Sequence, residues 1–230
     1  MKPHLLLLHG ALSDHHQFDA MIPFLEDSFT IHTFDFEGHG KRDLNYSSLT
    51  ILNLADNIRE YAEQNQLDSF FALGYSMGGY AAYIYNDKHH GKVQKLFTLA
   101  TKIKWDEAIA SRENAMLDLD KMREKVPAFV AALEEKHKGS GLEILVNETK
   151  NVLSGLGKND YLNEELLRRM DIPMHIAIGD RDKIVTIEEC EWAISIMKDG
   201  QLEILQDTPH PFEKVDVAKL STSIKQFFIG

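Results

Sequence analysis

Cysteine is nearly absent: the 230 residues hold one, Cys190. A single thiol cannot close an internal disulfide, which excludes a cystine-stapled secreted scaffold and leads us to expect a reducing, cytoplasmic setting. Cys190 stands in Glu188-Glu189-Cys190-Glu191. Neighbouring carboxylates raise a thiol pKa, so this residue reads as structural rather than reactive. Long apolar runs are missing too. The longest near the start, Leu5 to Leu8, falls far short of the ~20 residues of a spanning helix, and no signal-peptide cleavage pattern accompanies it. No membrane span is expected. Basic charge is also scarce, with 25 Lys and Arg against 36 Asp and Glu for a formal net charge of −11. Such a surface repels a phosphate backbone, and no segregated basic patch offsets it, so nucleic acid is excluded as a partner.

Several short motifs are lacking as well. There is no Walker A loop, no G-x-G-x-x-G after the first strand and no C-x-x-C, so no cofactor is expected. Asp14, His15, His16 and Asp19 lie close in sequence. Adjacent histidines have no established ligand spacing, and no metal site is expected there.

What remains is ordinary globular material, 43% hydrophobic and 27% charged, enough to bury one core. Short apolar runs alternate with helical patterns, the signature of parallel strands joined by crossover helices. Strands are predicted at His4–Leu8, Thr30–Asp35, Ser69–Gly74, Val93–Leu99, Met174–Gly179 and Leu202–Leu205. Most are continuously apolar, as strands covered on both faces should be. Helices are predicted at Gln17–Leu25, Leu49–Gln66, Met77–Lys88, Ile187–Met197 and Glu213–Phe228. The fold class is therefore α/β, a mostly parallel sheet flanked by helices.

The alternation breaks over residues 101–171. Two apolar-periodic segments, Trp105–Met122 and Val126–Lys136, precede a stretch punctuated by Gly139, Gly141, Gly155 and Gly157, then a helix around Leu162–Met170. This span is too long for one crossover. It reads as an inserted helical lid, leaving residues 1–100 and 172–230 as the core domain.

The strongest local signal is Gly74-Tyr75-Ser76-Met77-Gly78, between a predicted strand and a predicted helix. Glycines on both sides of a serine allow a sharp strand-to-helix turn that projects the hydroxyl from the sheet's C-terminal edge. The Met77 amide then lies at a helix N-terminus, where unpaired N–H groups favour negative charge. A serine hydroxyl needs a base, itself oriented by an acid. His210, in the Thr208-Pro209-His210-Pro211-Phe212 loop, is the best candidate base, since most of the other histidines fall in pairs or inside predicted elements. For the acid, Gly179-Asp180-Arg181-Asp182 offers two carboxylates, and residue positions alone do not choose between them.

At this point the chain resembles the α/β-hydrolase superfamily over nearly its whole length apart from the lid. Members carry an HG turn, a D-x-x-G-x-G, the G-x-S-x-G elbow, a G-x-x-D acid and a late histidine. Here these are His9-Gly10, Asp35-Phe36-Glu37-Gly38-His39-Gly40, the elbow at Ser76, Gly179 to Asp182, and His210, all in order. The resemblance implies Ser76 as nucleophile, His210 as base and Asp182, in preference to Asp180, as the acid. It also implies that the amides of Ala11 and Met77 bind an oxyanion in contact with the substrate. It departs from the pattern in a minimal N-terminus without the leading antiparallel hairpin, in Glu37 for a common Pro, in Lys41-Arg42 for small residues, and in Pro209 for the usual Gly. Tyr80 also stands where carbon–carbon lyases of menaquinone synthesis have arginine.

The implied activity is hydrolysis of a carboxylic ester or thioester of a small acyl substrate through an acyl-enzyme on Ser76, with no cofactor. Two alternatives keep the fold: a carbon–carbon bond hydrolase or lyase using the same triad, and a non-catalytic small-molecule binding module.

Overall fold

The structure, a computed structural model, describes residues 2–45 and 47–230. Among these residues six strands form one sheet: β1 (His4–Leu8), β2 (Thr30–Thr33), β3 (Phe70–Tyr75), β4 (Val93–Leu99), β5 (Met174–Gly179) and β6 (Gly200–Leu205). Their spatial order is β2-β1-β3-β4-β5-β6, and every pairing is parallel. The predicted strands are all present, with ends displaced by a few residues. The chain leaves β1 toward β2 and leaves β3 toward β4, so the connections diverge above the β1–β3 seam. A crevice opens at such a switch point, beyond the strands' C-terminal ends.

Successive residues of a strand point to opposite faces, and β3 shows how the layers form. Phe70 meets Tyr85 of α3 (Met77–Lys88), with ring centroids 5.9 Å apart. Phe71 stacks on Phe228 of α10 (Val217–Ile229) at 4.9 Å on the opposite face. Beside α3 lies α2 (Ile51–Gln64), whose Thr50 hydroxyl accepts the Asn53 amide in a capping box. Beside α10 lies α1 (Ile22–Leu25), and α9 (Ile187–Ile196) packs on β5 and β6. The four apolar residues Leu5, Leu6, Leu7 and Leu8 are all buried, as a strand covered from both sides requires.

Some predicted helices differ in extent. Gln17–Leu25 is a 3-10 turn over His15–Phe18 and then the single-turn α1. Pro23, near the start of α1, has no amide to continue an earlier helix but suits a new first turn. Glu213–Phe228 is likewise divided, because Asp216 caps α10 by accepting the Lys219 amide.

Between β4 and β5 lie α4 (Glu107–Met116), α5 (Leu119–Lys125), α6 (Pro127–Lys136), α7 (Leu142–Lys158) and α8 (Glu164–Arg169). The single periodic segment Trp105–Met122 is two helices, since Asp118 accepts the Lys121 amide and starts α5. The largest departure is α7, where the glycine-punctuated stretch is a 17-residue helix containing Gly155 and Gly157. Leu142, Leu145, Val146, Thr149, Val152 and Leu156 form its buried stripe, enough apolar contact to outweigh the ~1 kcal/mol that a helical glycine costs. Gly157 has a packing reason: a Cβ there would meet Ala110 of α4 at 2.6 Å. Among the described residues no helix is long and apolar enough to cross a membrane.

Candidate active site

Ser76 occupies the turn between β3 and α3 with φ 50° and ψ −115°, a conformation that costs a non-glycine residue about 1–3 kcal/mol. Neighbouring groups hold it there. The Ser76 amide donates to Leu99 O at 2.9 Å, and its carbonyl accepts from the Tyr80 amide at 3.2 Å and the Thr101 hydroxyl at 3.1 Å. The flanking glycines answer to close approach. A Cβ on Gly74 would lie 2.4 Å from the Gly79 Cα, and one on Gly78 would lie 2.3 Å from Leu8 O. A bare Gly74 therefore lets the start of α3 fold back against β3, and a bare Gly78 lets it pass close to the end of β1.

His210 follows β6, and its Nδ1 lies 2.7 Å from Asp182 Oδ2. That carboxylate is 1% exposed, and its other oxygen accepts the amides of Ile184 at 2.8 Å and Val185 at 2.9 Å. Three contacts thus satisfy a buried charge that would otherwise be costly. With Nδ1–H donating to Asp182, Nε2 is the ring nitrogen left to accept a proton. Asp180 is turned elsewhere: its Oδ1 accepts the Thr208 amide at 3.1 Å, while Arg181 pairs with Asp207. The two acids differ in what they hold, Asp182 the imidazole and Asp180 the backbone of the loop that carries it.

Ser76, His210, Ala11 and Met77 all line one cavity of about 690 Å³, above the β1–β3 seam. Met77 is the first residue of α3, where a helix has no internal acceptor for its amide. Ala11 follows Gly10, whose own amide donates to Gln17 Oε1 at 2.9 Å. Neither the Ala11 nor the Met77 amide donates to another group among the described residues. The arrangement offers a hydroxyl, an imidazole backed by a carboxylate, and two available amides on one wall, the parts needed for acyl transfer.

Sequence reasoning missed the supports of this site. The Tyr75 hydroxyl donates to His210 O at 2.8 Å, tying the elbow to the histidine loop. Burial, reinforced by Glu213 and Asp182, raises the pKa of that phenol and keeps it a donor. The loop after β5 is fastened by a buried ion pair, with Lys102 Nζ 3.0 Å from Glu189 Oε2 and 3.0 Å from Ile184 O. Glu189 also accepts the Ile103 amide at 2.8 Å. The T-x-x-E spacing of Thr186 and Glu189, a capping-box signature, was the one available signal for this network.

Three histidines are buried beside the cavity. His9, of the His9-Gly10 turn, engages Gly10 O through Nδ1 at 2.9 Å and accepts the Phe36 amide on Nε2 at 3.0 Å. Burial depresses its pKa to about 4. His39 lies 5.0 Å away, ring to ring, and is pushed well below the usual histidine range by burial and by His9. His137, at the end of α6, accepts the Gly40 amide at 2.9 Å and engages Leu12 O at 3.1 Å. Its pKa is lowered mainly by burial. His9 and His137 are neutral struts between loops, whereas His39 engages Glu37 O of its own turn, at 3.1 Å.

Ligand atoms of Asp14, His15 and His16 lie within 4.8 Å of one another. Lys136 Nζ stands 3.1 Å from Asp14, and His15 Nδ1 is 2.7 Å from Asp35. A lysine ammonium already beside Asp14 repels a second cation. Cys190 is buried, and burial together with Glu189 pushes its thiol up to about 12, which keeps it protonated.

Residues 3–208 match the model of a family described as alpha/beta hydrolase fold. The chain is 26% identical over 246 residues to proline iminopeptidase PfmaB of Pestalotiopsis fici, covering 90% of this chain and 85% of the relative. Over 98 residues it is 33% identical to pimeloyl-[acyl-carrier protein] methyl ester esterase of Klebsiella pneumoniae, covering 43% of this chain and 36% of that protein. Among solved structures, a thermophilic esterase from Thermogutta terrifontis superposes with a TM-score of 0.78 at 20% identity, covering 98% of this chain and 89% of the other. With the family model matched across most of its length, this chain belongs to the alpha/beta hydrolase fold family and is a hydrolase.

Proposed function

We propose that the enzyme cleaves a carboxylic ester or thioester of a small molecule through an acyl-enzyme on Ser76. His210 takes the hydroxyl proton on Nε2 as the serine oxygen attacks the acyl carbon. Asp182 holds the imidazole in the required tautomer and stabilises its cation. The amides of Ala11 and Met77 receive the developing oxyanion, worth about 10²–10³ in rate for each donor. The tetrahedral intermediate collapses, His210 protonates the departing alcohol or thiol, and the same residue then activates water to release the acid. No step calls for a cofactor. Residues 101–171 serve as the lid over this site, with residues 1–100 and 172–230 as the core. The free Cys190 fits a cytoplasmic setting.

The observation that carries this reading is the 2.7 Å contact between His210 and the buried Asp182 on the cavity that the strained Ser76 also lines. Labelling with a fluorophosphonate, abolished by Ser76→Ala, is the expected result. Turnover of esters or thioesters is expected in the same preparation. Turnover confined to β-diketones would favour the carbon–carbon alternative, and folded protein that never labels would favour a binding module.

A further inference from the structure

We infer that the acyl group processed here is an extended, uncharged apolar chain or ring system, neither a short acyl such as acetyl nor a chain ending in a carboxylate. This inference rests on the acyl-enzyme reading and specifies its substrate class. The cavity measures about 690 Å³. At the ~30 Å³ a water fills in the liquid, close to the size of a methylene, it has room for about twenty such groups. An acetyl group would leave nearly all of that space in contact with water.

The walls decide the chemistry. Beyond Ser76 much of the lining is supplied by α4, α6, α7 and the segment leading into α4, with Trp105, Leu133, Val152 and Leu156 among its apolar residues. The apolar surface continues outward: Met116 and Phe129 also line the cavity while 62% and 53% exposed. Large exposed apolar side chains at the mouth of an apolar cavity suit a ligand that is itself apolar along its length.

Both lysines on the wall are already neutralised. Lys102 is held by Glu189 at 3.0 Å, and Lys136 by Asp14 at 3.1 Å. The remaining charged side chains there are acidic. Glu113 is buried against exposed Arg112 at 2.9 Å, and Glu213 lies exposed on the same lining. A terminal carboxylate on the acyl chain would leave water for an apolar wall on which every cation among the described residues is already paired and Glu213 carries a like charge, which is unfavourable.

The test is a series of p-nitrophenyl esters from acetate through butyrate and hexanoate to octanoate, together with the mono-p-nitrophenyl ester of suberic acid. Each added methylene should raise kcat/KM about two- to fourfold until the cavity is filled. The suberate half-ester should fall at least about a hundredfold below octanoate. Leu153→Trp, which adds bulk on the α7 wall, should move the optimum to a shorter chain. Its fluorophosphonate labelling would show that the variant is folded. An optimum at acetate, a half-ester turned over as well as octanoate, or an unchanged length profile in the folded variant would overturn the inference. If wild-type protein labels at Ser76 yet prefers acetate, the acyl-enzyme reading stands and this inference alone falls. If it neither labels nor turns over any ester, both fall.

Discussion

Acidification should loosen this protein through its buried histidines, and the size of the effect follows from where they sit. His9 is fully buried and neutral, with both ring nitrogens engaged by backbone. Protonation would add a second N–H at Nε2, where the Phe36 amide already donates at 3.0 Å. Desolvation is the largest influence on His9 and opposes the cation, as do His137 and Lys136, while the hydrogen bond to Gly10 O and the charge of Asp14 favour it less strongly. Its pKa is therefore about 4 in the folded chain against the ordinary 6.5. The unfolded chain binds the proton first, so stability is complete above the unfolded value and declines as pH falls toward the folded one. Between about pH 7 and about pH 5 this one residue should remove about 2 kcal/mol, and about 3 kcal/mol once both states are titrated. His39 and His137 act in the same direction, because their pKa values are also lowered by burial.

Urea unfolding at a series of pH values measures this directly, given a two-state transition. The control is His9→Gln, whose amide can donate to Gly10 O and accept from Phe36 without titrating in this range. Wild-type stability should decline steeply between about pH 6.5 and about pH 4, and the variant's decline should be shallower by about 2 kcal/mol over the pH 7 to 5 interval. Parallel curves for the two proteins would refute the assignment of this acid sensitivity to His9.

Other outcomes follow from the same structure. Ser76→Gly should abolish ester turnover yet stabilise the fold by about 1 kcal/mol, since relief of the positive-φ strain exceeds the entropy cost of glycine; a lower Tm would contradict the strain. Asp182→Asn should cut kcat by about 10⁴ with little change in KM, because the imidazole loses its orienting acceptor. Steady-state kinetics check this, and a loss below tenfold would argue that another acid serves. Lys102→Met should destabilise the protein by about 3–5 kcal/mol by leaving Glu189 buried without its ammonium. Adding Glu189→Gln should recover much of that loss in denaturant titration, and failure to recover would place the damage in packing instead.

Much of the architecture was legible because its signals are local. The apolar runs Leu5 to Leu8 and Ile176 to Ile178 announce strands covered on both faces, and Gly74-Tyr75-Ser76-Met77-Gly78 announces a sharp turn into a helix. The helix limits were less legible where side chains cap from within a periodic pattern, as Asp118 and Asp216 do. Gly155 and Gly157 misled for a different reason. Punctuation by glycine is a statement about intrinsic preference, whereas α7 is held by tertiary burial of its stripe and by the close approach of α4 to Gly157.

By itself the sequence determined the order of strands and helices, the chemical types available for acyl transfer, and the absence of disulfide or nucleotide-binding motifs. Tertiary structure alone decided which carboxylate meets the imidazole, since Asp180 and Asp182 stand two positions apart on the same loop and face different partners. It also decided that Tyr75 braces the histidine loop and that Lys102 is silenced by Glu189. The physical reason is range. Periodicity and turn preference act over a few bonds, but the direction of a loop side chain is fixed only when parallel strands in register bring their C-terminal ends to one edge.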